Sequence, residues 1–177
     1  MRKIIYYVAS SLDGYIMGPD ENMQSFVGEG SGIRQYLNDL QAFDTVIMGR
    51  KTYEFGYRFG LIEGQKAYPH MKHYIFSNKL TLSNPAEDVK ICKIDLQTII
   101  ALREQQGTDI YLCGGGRFAG WLLDNKQIDI LKLKLNPVIL GDGIRLFGAS
   151  TREYKASLIE CKEYENGLQI MEFQIKY

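Results

Sequence analysis

Three short apolar runs constrain the fold of this chain more than any other feature of its sequence. They lie at Ile4 to Ala9, Thr45 to Met48 and Asp109 to Cys113, and they are rich in β-branched and aromatic side chains. A strand that is apolar along its length is buried on both faces, as are the central strands of a parallel sheet. The runs therefore predict an α/β fold with a sheet that is covered on both sides.

Helical segments separate the predicted strands. Apolar spacing predicts helices over Ser31 to Ala42 and Tyr53 to Phe59, one capped by Asp95, and one after Gly116. Further strands are predicted at Tyr15 to Met17, Lys72 to Phe76, Val89 to Ile94 and Ile128 to Leu140, with the last one long and apolar on both faces. The pair Asn166-Gly167 predicts a two-residue hairpin turn. We expect one domain over 1–177, with a mostly parallel central sheet, helices on both faces and a C-terminal antiparallel hairpin.

Two glycine-rich turns follow buried strands and open helices. The first is Gly49-Arg50-Lys51-Thr52 and the second is Gly114-Gly115-Gly116-Arg117. A helix N-terminus offers free backbone N–H groups, and glycine lets an anion approach the backbone closely. Either turn alone is also typical of an ordinary strand-to-helix connection. The pair, each with its own arginine, favours a pyrophosphate gripped from both sides.

Several other classes of protein are excluded or disfavoured. The glycines fit neither a P-loop nor the spacing G-x-G-x-x-G. Lys+Arg and Asp+Glu both total 21, so net charge gives no case for a nucleic-acid or membrane partner. His70 and His73 have no further ligand at metal-binding spacing, so no metal is expected. Three cysteines without a C-x-x-C pattern, and no signal peptide, indicate a reduced cytoplasmic protein.

Four sequence blocks, in their order and spacing, resemble a known family. They are Ser11-Leu12-Asp13-Gly14, Val46 to Tyr53, Ile75-Phe76-Ser77-Asn78 and Gly114 to Phe118. Together they are similar to the dihydrofolate reductase superfamily, in particular to its branch related to the reductase domain of the bifunctional riboflavin-biosynthesis deaminase–reductase. The resemblance spans most of the chain.

The resemblance implies that NADPH lies across the carboxyl edge of the sheet. It assigns Ala9 and Ile16 to the nicotinamide, and Ser77 and Asn78, with Arg50, to the adenosine ribose and its 2′-phosphate. It assigns the two glycine turns to opposite sides of the phosphates: one side is Gly49, Arg50, Lys51 and Thr52, and the other is Gly114, Gly115, Gly116, Arg117 and Phe118. No Asp or Glu ends the Lys72 to Phe76 strand, where NADH would need a 2′-hydroxyl acceptor. Ser77, Asn78 and Lys79 suit a phosphate instead.

The expected activity is that of an NADPH-dependent reductase. It would transfer a hydride to a small, flat heterocyclic substrate, of the pteridine or 5-amino-6-(5-phosphoribosylamino)uracil type, under a lid formed by Gly18 to Gly32. The alternatives are a nucleotide-binding protein of the same fold without turnover, and a structural dimer that binds no ligand. We also expect a homodimer, because relatives commonly pair and the long Ile128 to Leu140 strand is apolar.

The source of the proton for such a reduction is open at this point. Asp13 either makes a turn with Gly14 or lines the nicotinamide end, and the turn is favoured. Dihydrofolate reductases carry a pterin-binding carboxylate on the first helix, but Ile33 stands near that position and only a gap brings Asp39 into it. Asp39 is interpreted as a solvated helix residue. Water, Asp39 or a tyrosine remain candidate proton donors.

Overall fold

The computed structural model describes all 177 residues. Its ten strands are β1 (Ile4–Ser10), β2 (Tyr15–Met17), β3 (Thr45–Gly49), β4 (Lys72–Phe76), β5 (Val89–Cys92), β6 (Ile110–Gly114), β7 (Ile130–Leu135), β8 (Ile144–Arg145), β9 (Lys155–Glu163) and β10 (Gln169–Lys176). Its four helices are α1 (Ser31–Leu40), α2 (Arg50–Phe55), α3 (Leu96–Glu104) and α4 (Gly116–Asp124). The helix that was predicted at Tyr53 to Phe59 instead starts at Arg50, and its last turn is a 3-10 helix.

Eight of the strands form one sheet in the order β5-β4-β3-β6-β1-β7-β10-β9. Pairing is parallel from β5 to β7, whereas β10 runs antiparallel to both β7 and β9. The short strands β2 and β8 pair with each other outside this sheet. The predicted fold class, that of a dihydrofolate-reductase-like α/β protein with a C-terminal hairpin, is confirmed.

Helices cover both faces of the sheet, because alternate side chains of each central strand point to opposite sides. On one face Tyr7, Met48 and Tyr111 pack in one cluster with Leu40 of α1 and Tyr53 of α2. On the other face the neighbouring residues of the same strands, including Tyr6, Ile47 and Leu112, pack against α3 and α4. Asp95 caps α3 as predicted, since its carboxylate accepts the N–H of Thr98 at 2.8 Å.

The predicted long strand over Ile128 to Leu140 is wrong in both its length and its faces. β7 ends at Leu135, two residues before Pro137, which has no N–H to continue a ladder. It lies between β1 and β10, so it is an internal strand. Lys132 and Lys134 share the face that carries Tyr7, while Leu131, Leu133 and Leu135, which alternate with them, face the other side.

The hairpin loop is longer than the predicted two residues. β9 ends at Glu163 and β10 begins at Gln169, and the Tyr164 N–H donates to the Leu168 carbonyl at 2.8 Å. Asn166 and Gly167 both have positive φ angles, 61° and 71°. This is the conformation that makes Asn-Gly favourable in turns.

Two buried arginines, each paired with a partly exposed aspartate, hold the amino end of the sheet. Arg103 of α3 donates to both carboxylate oxygens of Asp129, at 2.9 and 2.8 Å, and Asp129 accepts the N–H of Ile4 at 2.7 Å. Arg2 pairs with Asp44, just before β3. These contacts fix β1, β3 and β7 at the end opposite to the glycine turns.

Two glycines of α4 are required by packing. A Cβ on Gly116 would lie 2.1 Å from the Arg145 carbonyl oxygen, and a Cβ on Gly120 would lie 2.2 Å from that of Phe147. Both positions therefore bring α4 against the backbone of the end of β8 and of the segment that follows it. Gly49 differs, because its nearest obstacle is the Cβ of Phe118 at 3.3 Å.

Alanine at these positions should separate packing glycines from the others. We expect Gly116→Ala to lower the free energy of unfolding by about 2 kcal/mol, the scale of an overpacked core, despite the better helix propensity of alanine. Gly49→Ala should cost less than about 1 kcal/mol, since a contact of 3.3 Å needs only a small shift. Urea unfolding of the two variants and the wild type measures both values. A Gly116→Ala protein as stable as the wild type would contradict this packing role.

Candidate cofactor and substrate site

Four adjacent parallel strands carry the predicted site residues at their carboxyl ends. In the order of the sheet these strands are β4, β3, β6 and β1. Ser77 and Asn78 follow β4, Gly49 ends β3, Gly114 ends β6, and Ala9 lies next to the last residue of β1. Neighbouring strands are about 4.8 Å apart, so the four ends form a row about 14 Å long. The carboxyl edge of a parallel sheet is the usual ligand-binding edge of such folds.

The turns after β3 and β6 touch each other. Met48 pairs with Gly114 in the sheet, and a Cβ on Gly49 would lie 4.0 Å from the backbone nitrogen of Gly115. A Cβ on Gly115 would lie 2.9 Å from the hydroxyl oxygen of Thr52. The peptide bond between Gly114 and Gly115 is cis. The structure thus brings both glycine turns into one narrow cradle.

Both helices that begin at this cradle have uncapped N-termini. Neither Gly49 nor Gly115, the residues before α2 and α4, provides a side-chain cap. The first N–H groups of a helix have no partner within the helix, so these donors are available to an anion. Lys51 and Arg117 are exposed and form no ion pair within the chain. The local charge is therefore positive.

Arg50 has a partner that the sequence analysis did not identify. Its guanidinium donates to both carboxylate oxygens of Glu54 at 2.9 Å, one helical turn away. The sequence could have indicated this pair, because residues four apart in a helix lie on the same face. An anion that binds Arg50 has to share it with Glu54.

The turn after β4 is closed by its own polar side chains. The Ser77 hydroxyl is buried and accepts the N–H groups of Lys79 and Leu80, at 3.1 and 2.9 Å. The Asn78 carbonyl oxygen accepts the N–H of Ile94 at 3.1 Å. The hydroxyl hydrogen of Ser77, the amide NH₂ of Asn78 and the exposed Lys79 remain as donors at this end of the row.

Phe118 belongs to the core. It stacks on Phe76 with the ring centroids 4.9 Å apart, and 94% of its surface is buried. Only its backbone could contact a ligand at the N-terminus of α4. Gly116, as described above, is occupied by packing against Arg145.

Ala9 and Ile16 lie on either side of the turn after β1. Within that turn the Ser11 hydroxyl donates to Asp13 at 2.6 Å, and the N–H groups of Leu140 and Gly141 donate to the same carboxylate at 3.1 and 2.7 Å. These bonds, that from Ser11 foremost, lower the pKa of Asp13 to about 2. Asp13 is therefore ionised and engaged in holding two loops together, in keeping with the turn interpretation.

Asp39 is not the solvated residue that the sequence suggested. Its side chain is 19% exposed, and its carboxylate accepts bonds from Tyr7, Gln35 and Lys132 at 3.1, 2.7 and 2.8 Å. Burial opposes its ionisation, but these hydrogen bonds and the charge of Lys132 keep its pKa below the ordinary value. Asp39 thus neutralises Lys132 beneath α1.

Lys134 lies beside this pair and was missed as a site residue. It pairs with Ala9 across the β1–β7 ladder, and its Nζ lies 3.7 Å from the centroid of the Tyr36 ring. Burial lowers the pKa of its ammonium to about 8. The signal in the sequence was the alternation of Lys132 and Lys134 with leucines, which places both lysines on one face.

The segment before α1 closes over this region. The Val27 N–H donates to the side-chain oxygen of Asn136 at 2.9 Å, and the Asn136 NH₂ donates to the carbonyls of Ser10 and Lys134 at 3.3 and 3.0 Å. Farther along, Glu21 pairs with Arg58 at 2.8 Å. The predicted lid is therefore attached both at the ends of β1 and β7 and at the turn after α2.

The two histidines serve the fold. His73 is fully buried, and its Nε2 accepts the N–H groups of Ala67 and Tyr68 at 3.1 and 3.2 Å. Burial lowers its pKa to about 4, so the ring is neutral.

No group of three His, Cys, Asp or Glu residues is placed to hold a metal ion. No helix is long and apolar enough to cross a membrane.

Solved structures share this architecture along the whole chain. A protein of Shewanella sp. PV-4 named for riboflavin biosynthesis is 23% identical with a TM-score of 0.81, and the match covers 100% of both chains. A pyrimidine reductase-like protein of Corynebacterium diphtheriae has a TM-score of 0.73 at 15% identity, over 99% of this chain and 92% of that one. A deaminase/5-amino-6-(5-phosphoribosylamino)uracil reductase of Thermotoga maritima has a TM-score of 0.72 at 15% identity, over 98% of this chain and 56% of that one. These likenesses show the fold.

Comparison of the sequence with known proteins identifies the family as well as the fold. The uncharacterized protein YwjB of Bacillus subtilis is 31% identical over 173 residues, which cover 96% of both chains. The uncharacterized protein YyaP of the same organism is 25% identical over 178 residues, which cover 94% of this chain and 92% of YyaP. The family model of the RibD C-terminal domain matches residues 2–170. The chain therefore belongs to the RibD C-terminal domain family.

Proposed function

We propose that this protein is an NADPH-dependent reductase. The observation that carries the proposal is the row of four strand ends, β4, β3, β6 and β1, in which the predicted contacts follow the order of the parts of a dinucleotide. Ribose contacts lie at one end, phosphate contacts at the two touching glycine turns, and nicotinamide contacts at the other end. Because the chain order of these strands differs from their order in the sheet, the sequence did not require this arrangement.

The residues at the glycine turns fit a pyrophosphate. Two uncapped helix N-termini face one cradle, and the charges of Lys51 and Arg117 are not neutralised within the chain. Gly115 keeps the cradle open, since a Cβ there would fill the space beside Thr52. When bound, NADPH supplies a hydride from its nicotinamide ring. The protein orients that ring beside Ala9 and excludes water with the lid over residues 18–32.

The substrate that suits the remaining space is a flat, polar heterocycle. Beside Ala9 the surface combines the aromatic ring of Tyr36 with the ammonium of Lys134. A planar ring with carbonyl or ring-nitrogen edges accepts a hydrogen bond from this ammonium. Pteridines and ribitylaminopyrimidine precursors, such as 5-amino-6-(5-phosphoribosylamino)uracil, have this chemistry.

The test of this function has two parts. NADPH should raise the melting temperature, because a ligand that binds only the folded state stabilises it. Loss of NADPH absorbance should then follow the addition of one member of a panel of pteridines, ribitylaminopyrimidine precursors and small carbonyl compounds. No thermal shift at about millimolar NADPH, where a ligand with a Kd of about 10 μM adds roughly 2.7 kcal/mol, would sink the cofactor assignment. Binding without oxidation of NADPH by any compound would leave a nucleotide-binding protein.

The choice of NADPH over NADH should depend on Arg50. A charged hydrogen bond to the 2′-phosphate contributes roughly 1.5–3 kcal/mol, which corresponds to about ten- to hundredfold in affinity. Because Arg50→Ala alone would leave Glu54 unpaired and repel both cofactors, we compare Arg50→Ala/Glu54→Gln with Glu54→Gln. The ratio of the NADH and NADPH dissociation constants should fall by about tenfold or more. Equal losses for both cofactors would restrict Arg50 to the pyrophosphate.

We further propose that the protein is a homodimer, with β9 at the interface. β9 is nine residues long, pairs only with β10, and leaves one edge of the sheet open. Leu158 and Ile159 on it are 56% and 53% exposed. A second copy fits this edge, because antiparallel pairing about Cys161 sets Glu160 opposite Lys162 of that copy. β7 lies between β1 and β10, so both of its edges are already paired and it supplies no open edge for a second copy.

Charge on this strand should separate the copies. The wild type should have a mass in solution near twice 20.2 kDa, and Leu158→Lys should shift it towards the mass of one chain. Ile62→Lys is the matched control, since Ile62 is 71% exposed on a loop far along the chain from β9. Light scattering well above micromolar concentration measures all three. A wild-type mass of one chain would refute the dimer.

A further inference from the structure

Lys134 is the one charged side chain of the polar cluster beneath α1 that has no partner of opposite charge. Lys132, two residues away, is 2.8 Å from Asp39 and 3.8 Å from Glu172. The Nζ of Lys134 forms neither an ion pair nor a hydrogen bond with the chain; it lies over the face of Tyr36 at 3.7 Å and keeps some contact with solvent. Half-buried ammonium groups are costly unless something satisfies their donors. The N–H donors that do not face the Tyr36 ring are therefore open to a ligand.

The position of Lys134 relates it to the reacting end of the site. Ala9 is its partner across the parallel ladder, so their Cα atoms are about 5 Å apart on the same face of the sheet. Asn136 bonds the Lys134 carbonyl and also holds Val27 of the lid. A substrate that lies beside Ala9 and under the lid therefore has Lys134 at its edge.

We propose that Lys134 is the proton donor of the reduction, an inference that rests on the proposed reductase function. Lys134 gives up one N–H proton to the nitrogen or oxygen of a polarised C=N or C=O bond of the substrate. The carbon of that bond receives the hydride of NADPH, and NADPH leaves as NADP⁺. The neutral amine of Lys134 then takes a proton from solvent, which closes the cycle with charge and atoms balanced.

The neighbours of Lys134 make it the group that titrates near neutral pH. Asp39 and Lys132 neutralise each other, and Ile170 on β10 is apolar. Burial raises the pKa of Cys113 on β6 above its ordinary value and raises the pKa of Tyr36 on α1 to about 12. Burial lowers the pKa of Lys134 itself to about 8, which is close to the value an acid needs at neutral pH. Because the donor has to be protonated, the rate should fall as the pH rises through about 8.

Two substitutions separate proton donation from charge alone. Lys134→Met removes both, whereas Lys134→Arg keeps a positive charge that is not lost by deprotonation below about pH 12. Both should lower kcat by about 100-fold or more, the scale of a lost general acid, and remove the decrease of the rate near pH 8. NADPH affinity and melting temperature should change little. Lys90→Met is the matched control, since Lys90 also lies over a tyrosine ring, Tyr74 at 5.9 Å, at the far side of the sheet.

A second measurement does not depend on turnover. Trinitrobenzenesulfonate labels neutral amines, and mass spectrometry reports its rate at each lysine. Saturating NADPH should slow the labelling of Lys134 by about tenfold and leave Lys90 unchanged, because the nicotinamide covers the space beside Ala9.

The outcomes are distinct. Absence of NADPH binding, or of turnover on the whole panel, overturns the reductase and this role with it. Turnover with a Lys134→Arg protein that keeps the wild-type kcat and pH profile overturns only the role of Lys134. NADPH binding that leaves Lys134 labelling unprotected also overturns the placement of Lys134, and the reductase stands.

Discussion

The parallel pairing of β3 with β6 is the constraint on which the site depends. It joins strands that are more than 60 residues apart in the chain and sets Met48 opposite Gly114. The two glycine turns then meet, so closely that a Cβ on Gly49 would lie 3.3 Å from that of Phe118. Two helices of different faces begin at the same point, and the positive ends of both point into one space. A shift in this pairing would separate the turns and leave two ordinary strand-to-helix connections.

The polar cluster beneath α1 shows a second constraint, which is the satisfaction of buried charge. Asp39 accepts bonds from three side chains, so the Asp39–Lys132 pair is complete without a ligand. Such a pair mainly prevents the cost of an unpaired charge and adds little net stability. Lys134 has only the face of Tyr36, a weaker interaction, and stays partly accessible. Two neighbouring lysines on one strand thus differ: Lys132 is paired within the fold, and Lys134 has no partner of opposite charge.

The sequence predicted the sheet well, because its physical signals were local and strong. The apolar runs at Ile4, Thr45 and Asp109 became adjacent central strands, and Asp95 capped α3. What it missed depends on contacts between distant segments. Gly116 looked like a phosphate-binding glycine, whereas a carbonyl of Arg145 also excludes any side chain there. Asp39 looked solvated because its partners, Tyr7 and Lys132, come from two other strands. The role of Lys132 and Lys134 was missed because β7 was interpreted as apolar on both faces, whereas the two lysines make one of its faces polar.

Asn136 connects the segment before α1 with the carboxyl ends of both β1 and β7. It is 1% exposed, directly follows β7, and bonds Ser10 of β1, Lys134 of β7 and Val27 of the lid. Since a buried amide rarely leaves its groups unpaired, moving the lid would cost the Asn136 oxygen its bond to Val27. The other lid contact, between Glu21 and Arg58, is exposed and contributes less. The segment over residues 18–32 is therefore attached most strongly at the ends of β1 and β7, where Ala9 and Lys134 lie.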